Sequence, residues 1–154
     1  MSRIGAGLTS GAVGTGALNI ATYLDVALRG RPQSPLPAQA AAKLAEKARI
    51  DPLTGQSEKA ENRRTGAGAL MGYATGLTVG ACYGLVRPLI RRLPVGLQAA
   101  AVGGLAMAAS DVPTTRMGLT DPKEWSPAGW AADIVPHFLY GLATVKTYEK
   151  LAAR

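Results

Sequence analysis

Residues 68–84 read Gly68-Ala-Leu-Met-Gly72-Tyr-Ala-Thr-Gly76-Leu-Thr-Val-Gly80-Ala-Cys-Tyr-Gly84. A glycine stands at every fourth position, and the residues between are mostly apolar. In water this segment is a poor helix former, because each glycine costs about 1 kcal/mol against alanine. In lipid the backbone has no water to bond, so helix becomes obligatory, and small residues let helices approach closely. The stretch therefore predicts a membrane-spanning helix over about 66–90. Gly68, Gly72, Gly76, Gly80 and Gly84 would form one nearly straight packing ridge. A glycine-lined pore or cofactor groove is the alternative use of such a ridge. Pro88 helps to stop the helix.

The composition agrees with that environment. Of 154 residues, 47% are apolar but only 5% are aromatic, with a single Phe and 19 Gly. A soluble core of this size is normally filled by larger side chains. The net charge of +7 raises two partners, nucleic acid and an anionic membrane. Neither a dense basic stripe nor interleaved aromatics is present, so nucleic acid is not expected. The basic residues instead sit in short groups between apolar runs, as in loops flanking membrane helices. One cysteine, Cys82, excludes an internal disulfide and reads as a packing residue.

Three more spans follow. The first, about 4–28, is too long for a signal peptide and is interrupted by Asn19 and Asp25, so it reads as an uncleaved helix. The third covers about 95–112, with Gly103-Gly104 at its middle and Pro113 at its end. The fourth covers about 135–148. The long polar loop 29–65 begins with an extended, proline-spaced crossover, then carries an amphipathic helix over about 38–49 at the membrane surface. The second loop offers Ser126-Pro127 as a helix start. A short interfacial helix near 127–133 is expected there, unless one helix kinked at Pro136 covers both. Trp125 and Trp130 fit interfacial anchors. The expected fold is thus all-α: one integral membrane domain over 1–154, a four-transmembrane-helix bundle with short interfacial helices in its two long loops.

Four spans bring the N-terminus, the 91–94 turn and the C-terminus to one side. That side carries Arg3, Arg87, Arg91, Arg92, Lys146, Lys150 and Arg154 in short segments. The loop side carries ten Lys and Arg over a longer stretch. Short segments weigh most, so both termini are expected in the cytoplasm of a bacterial cell, with the helices in its cytoplasmic membrane.

The same topology gathers polar residues at the loop side. Asp25 and Asp111 close the first and third spans, where the helix dipole disfavours an anion. Asp133 and His137 open the fourth, with Tyr140 on the same face. Arg63 and Arg64 precede the second. Ionisable residues at membrane depth are functional candidates, though ion pairing for assembly serves as well, and Asp25 could pair with Arg29. No metal ligand spacing, serine-nucleophile elbow or dinucleotide fingerprint is present, so no catalytic residue, metal or cofactor is assigned.

Tyr23-Leu-Asp25 with Arg29-Gly-Arg31-Pro32, then Asp111-Val-Pro113, Gly118-x-x-Asp121-Pro122-x-x-Trp125 and Pro136-His137-x-x-Tyr140-Gly141, resemble a group of small multi-pass membrane proteins of actinobacteria, distantly similar to YagU-type inner-membrane proteins. The resemblance covers nearly the whole chain. It implies location and helix number, and no reaction. Three functions stay open: an interaction or accessory subunit binding another membrane protein or itself, a small transporter or channel with an Asp/His gate, and a membrane enzyme acting on lipid or isoprenoid. A soluble basic domain is a minor fourth.

Overall fold

The computed structural model describes residues 1–153; Arg154, counted above among the basic residues, lies outside them. The chain is all-helical, with no strand among the described residues. Its helices are α1 (Arg3–Arg29), α2 (Leu36–Lys47), α3 (Glu58–Ile90), α4 (Val95–Arg116) and α5 (Pro127–Ala152). Short 3-10 turns at Asp51–Leu53 and Pro122–Glu124 punctuate the two loops. Serine hydroxyls start three helices: Ser2 accepts from the Gly5 amide, Ser57 from Ala60 and Ser126 from Gly129, at 3.1 to 3.2 Å. Gly30, with φ +62°, ends α1 in the left-handed conformation that glycine adopts without strain.

α1 lies between α3 and α5, α4 packs on α5, and α2 packs on α3. The close contacts are backbone to backbone. A Cβ on Gly80 would strike Gly11 Cα at 2.6 Å, and those on Gly7 and Gly11 would strike the carbonyls of Gly80 and Gly76. Gly84 faces the Arg3 carbonyl in the same way. On the other side of the bundle Gly141 meets the Ala99 carbonyl, and Gly103 the His137 carbonyl. α1 runs antiparallel to α3, and α4 to α5, so the N-terminus, the 91–94 turn and the end of α5 share one end, opposite the two long loops. α3 and α4 pack more loosely than these pairs; a shallow groove of about 310 Å³ between them is lined by Ala74, Thr75, Thr78, Val79 and Ala109.

Several boundaries differ from the sequence reading, each for a local reason. α3 starts at Glu58, not near 66, because Ser57 caps it and Glu58 and Glu61 suit the positive end of the dipole. α4 continues through Pro113 to Arg116. A proline in the last turn loses one hydrogen bond, while Thr114 Oγ1 donates back to the Ser110 carbonyl at 3.0 Å. α5 is one helix across Pro136, with no separate interfacial helix. α2 begins at Leu36, since Pro37 falls in the first turn, where no amide bond is needed. It does not stand alone on a surface: Ala40, Ala41 and Ala45 are buried, and Gly68 of α3 lies against the Pro37 and Ala38 backbone.

The glycine ridge is not one face. Four residues turn a helix by about 400°, so a spacing of four drifts about 40° per step and about 160° from Gly68 to Gly84. Gly76, Gly80 and Gly84 meet α1, Gly68 meets α2, and Gly72 between them is exposed with nothing within 4 Å of its virtual Cβ.

Two helices, α3 and α4, are long and apolar enough to cross a membrane. Of each spanning window, 28% is buried inside the bundle. α1 and α5 have the length but do not reach the same mean hydropathy: α1 has an inner face of Ala, Gly, Ser and Thr, and α5 carries Asp133, His137, Lys146, Glu149 and Lys150.

Candidate functional site

At the loop end, α4 and α5 bring three of the expected residues together. His137 Nδ1 lies 2.8 Å from the Asp133 carbonyl and 3.3 Å from Asp133 Oδ1, one turn back on α5. Asp111, on α4, interacts with both Asp133 and His137. Its own carboxylate sits 3.3 Å from Ser110 Oγ. His137 and Asp133 are recessed, with 14% and 23% of their side chains exposed. Asp133 Oδ2 is buried and has no hydrogen-bond partner among the described residues. Two carboxyl groups and an imidazole so arranged can hold or share a proton. They do not converge as metal ligands do: no group of three or more His, Cys, Asp or Glu is placed for a metal ion among the described residues.

The other expected members of the cluster are engaged elsewhere. Asp25 pairs with Arg29 at 3.2 Å and with Arg31, closing the end of α1 onto its own loop. Sequence spacing pointed to Arg29; Arg31 follows the Gly30 turn, which folds it back. Arg64 Nη1 donates to the Leu53 and Gly55 carbonyls at 3.2 and 2.6 Å, and Arg63 Nη1 to the Pro52 carbonyl at 3.4 Å. Both arginines therefore bind the loop before α3 and not the carboxylates. Tyr140 shares a helix face with His137 but is buried, and its hydroxyl donates to the Gly76 carbonyl of α3 at 2.6 Å.

A second polar set, not anticipated from the sequence, lies in the interior toward the opposite end. Tyr83 Oη donates to Gln98 Oε1 at 2.8 Å, and Gln98 Nε2 to the Leu93 carbonyl at 2.7 Å. Tyr148 Oη donates to the Gly84 carbonyl at 3.3 Å, and its ring meets that of Tyr83 edge-on at 5.3 Å. Arg87 pairs with Glu149 at 3.2 Å. One signal was available: Tyr140 and Tyr148 are eight apart, as are Gly76 and Gly84.

No family model, no curated protein and no solved structure matches the chain. Its reading rests on its own residues.

Proposed function

We propose that this is a multi-pass membrane protein in which α1, α3, α4 and α5 all span a bilayer, and that it serves as an interaction or accessory subunit of a membrane assembly. The distribution of large and small side chains carries the reading. Most buried positions are small, such as Ala6, Ser10, Gly11, Gly14, Gly76, Gly80 and Gly103; three valines, three tyrosines and Gln98 complete the interior, while no leucine or isoleucine among the described residues is buried. Leu89 is 85% exposed, Leu28 84% and Leu70 71%. A water-soluble monomer rarely exposes so many large apolar side chains, whereas lipid solvates them.

The two helices of lower mean hydropathy carry the same outward face, with Ile4, Leu8, Val13, Ile20 and Leu24 on α1 and Ile134, Val135, Phe138 and Leu139 on α5. At 27 and 26 residues each is about 40 Å long, against a hydrocarbon layer of about 30 Å. A bacterial cytoplasmic membrane, with both termini cytoplasmic, fits the short basic segments at the terminal end.

Extraction of membranes with alkaline carbonate tests the first part: the chain stays with the lipid, and its release would end the reading. Purification from its own membrane in mild detergent, with mass spectrometry of what accompanies it, tests the second. A stoichiometric protein partner or a stable homo-oligomer is expected. A monodisperse monomer without companions counts against it.

A small transporter is the second reading, favoured by the unpartnered Asp133 Oδ2 beside a second carboxyl. It requires that Asp111→Asn and Asp133→Asn abolish flux in reconstituted vesicles while leaving expression intact.

A further inference from the structure

The two ends of the bundle differ in charge far more than in the number of cations. The loop end holds ten Lys and Arg against nine Asp and Glu. The opposite end holds Arg3, Arg87, Arg91, Arg92, Lys146 and Lys150 against one described carboxylate, Glu149, which Arg87 pairs. Arg3, Arg91, Arg92, Lys146 and Lys150 are exposed and make no ion pair among the described residues. They come from the start of α1, the α3–α4 turn and the last turns of α5, so three separate stretches of sequence meet at one end only because the helices alternate in direction.

We propose that this end is a binding surface for anionic phospholipid headgroups. The inference rests on the membrane reading and adds the lipid class. Leu85, Val86 and Leu89 on α3, Leu93 in the turn and Leu97 on α4 are exposed immediately beside Arg91 and Arg92. The cations therefore stand at the edge of the apolar belt, at the depth where phosphates lie. Nucleic acid is the other polyanion such a surface could meet. Its bases need exposed aromatic platforms, and the tyrosines nearest this end, Tyr83 and Tyr148, are buried with their hydroxyls bonded inward. The loop end, with its cations nearly balanced by carboxylates, lacks the excess field that draws an anionic surface.

Full-length protein in a neutral detergent is titrated with phosphatidylglycerol or phosphatidylcholine, and bound lipid is counted by native mass spectrometry. Wild type is expected to prefer phosphatidylglycerol by about tenfold or more at low salt, and less at high salt. The exposed-site variant R91Q/R92Q/K146Q/K150Q loses that preference, while the loop-end control K47Q/K59Q/K123Q keeps it. Circular dichroism on each variant shows that helicity is retained. Equal binding of the two lipids by wild type overturns the inference, as does equal loss in both variants. Tighter binding of a single-stranded oligonucleotide than of phosphatidylglycerol overturns it in favour of nucleic acid. Carbonate extraction separates the two readings. A chain released by carbonate that still prefers phosphatidylglycerol through these four residues sinks the membrane reading and keeps this surface; a chain retained in the membrane without lipid preference does the reverse.

Discussion

The Tyr140 hydroxyl reaches from α5 to the carbonyl of Gly76 on α3, at 2.6 Å. Eight residues on, Tyr148 repeats the bond to Gly84, also eight residues on. Both acceptors are glycines, where the missing side chain leaves room for a tyrosine from the neighbouring helix to reach the carbonyl. Tyr140→Phe keeps the ring and removes the bond. In mild-detergent unfolding it should destabilise the bundle by about 1 kcal/mol, and Tyr140→Ala by about 3 kcal/mol or more through the cavity it leaves. An unchanged midpoint for Tyr140→Phe would show that the bond contributes nothing net.

Glycines of the same ridge should respond with opposite signs. A methyl at residue 80 meets the Gly7 and Gly11 backbone, which cannot move aside without separating the helices. Gly80→Ala is expected to cost about 1–3 kcal/mol. At residue 72 a methyl meets nothing, so Gly72→Ala should stabilise by about 0.5–1 kcal/mol through helix propensity alone. Thermal midpoints of the two variants, measured side by side, decide the matter. A loss at both sites would mean that Gly72 has a partner in the membrane.

Arg64 holds the loop before α3 by two carbonyl bonds and touches none of the carboxylates. Arg64→Met should therefore loosen residues 50–57 without affecting the bundle. Limited proteolysis reads this as faster cleavage in that loop by about tenfold, with the global unfolding midpoint unchanged. Loss of the whole fold would assign Arg64 a part in the core.

Asp111 and Asp133 are two carboxylates at one site with a single imidazole beside them. Replacing one by its neutral isostere removes repulsion. Asp111→Asn should stabilise the protein at neutral pH by up to about 1 kcal/mol, whereas Asp133→Asn takes the partner of His137 and should not. Destabilisation by Asp111→Asn, read from the unfolding midpoint, would point to a cation normally held between the two.

Cys82 reports on the surroundings of α3. It is exposed on the bundle surface, three residues from Leu85. With the helix in a bilayer, a charged, water-soluble maleimide should label it at least about tenfold more slowly in intact membranes than after denaturation, because a charged reagent does not enter the hydrocarbon layer. Equal rates would mean that α3 lies in water.

Much of the fold was legible because its signals are local. The apolar stretches, the serines at 57 and 126 and the glycine spacing are each read within a turn or two, and they yield an all-helical chain whose long helices alternate in direction. The prolines misled because their effect depends on position: Pro37, in a first turn, and Pro113, in a last turn, lie inside helices that the sequence reading ended at or kept clear of them. Of the polar cluster, Asp133 and His137 were legible as neighbours on one helix. Asp111 joins them across two helices. Asp25, Arg63 and Arg64 do not join, since each has a nearer partner in its own loop.

What the sequence by itself determined is the periodic material: helix, small-residue faces, apolar outer stripes and the excess of positive charge. Which of five equally spaced glycines touches a neighbour was decided only by the tertiary structure, because a helix drifts about 40° for every four residues and a straight partner can follow such a ridge for only a few steps. Gly76, Gly80 and Gly84 lie where α1 passes, Gly68 where α2 docks, and Gly72 faces outward between them.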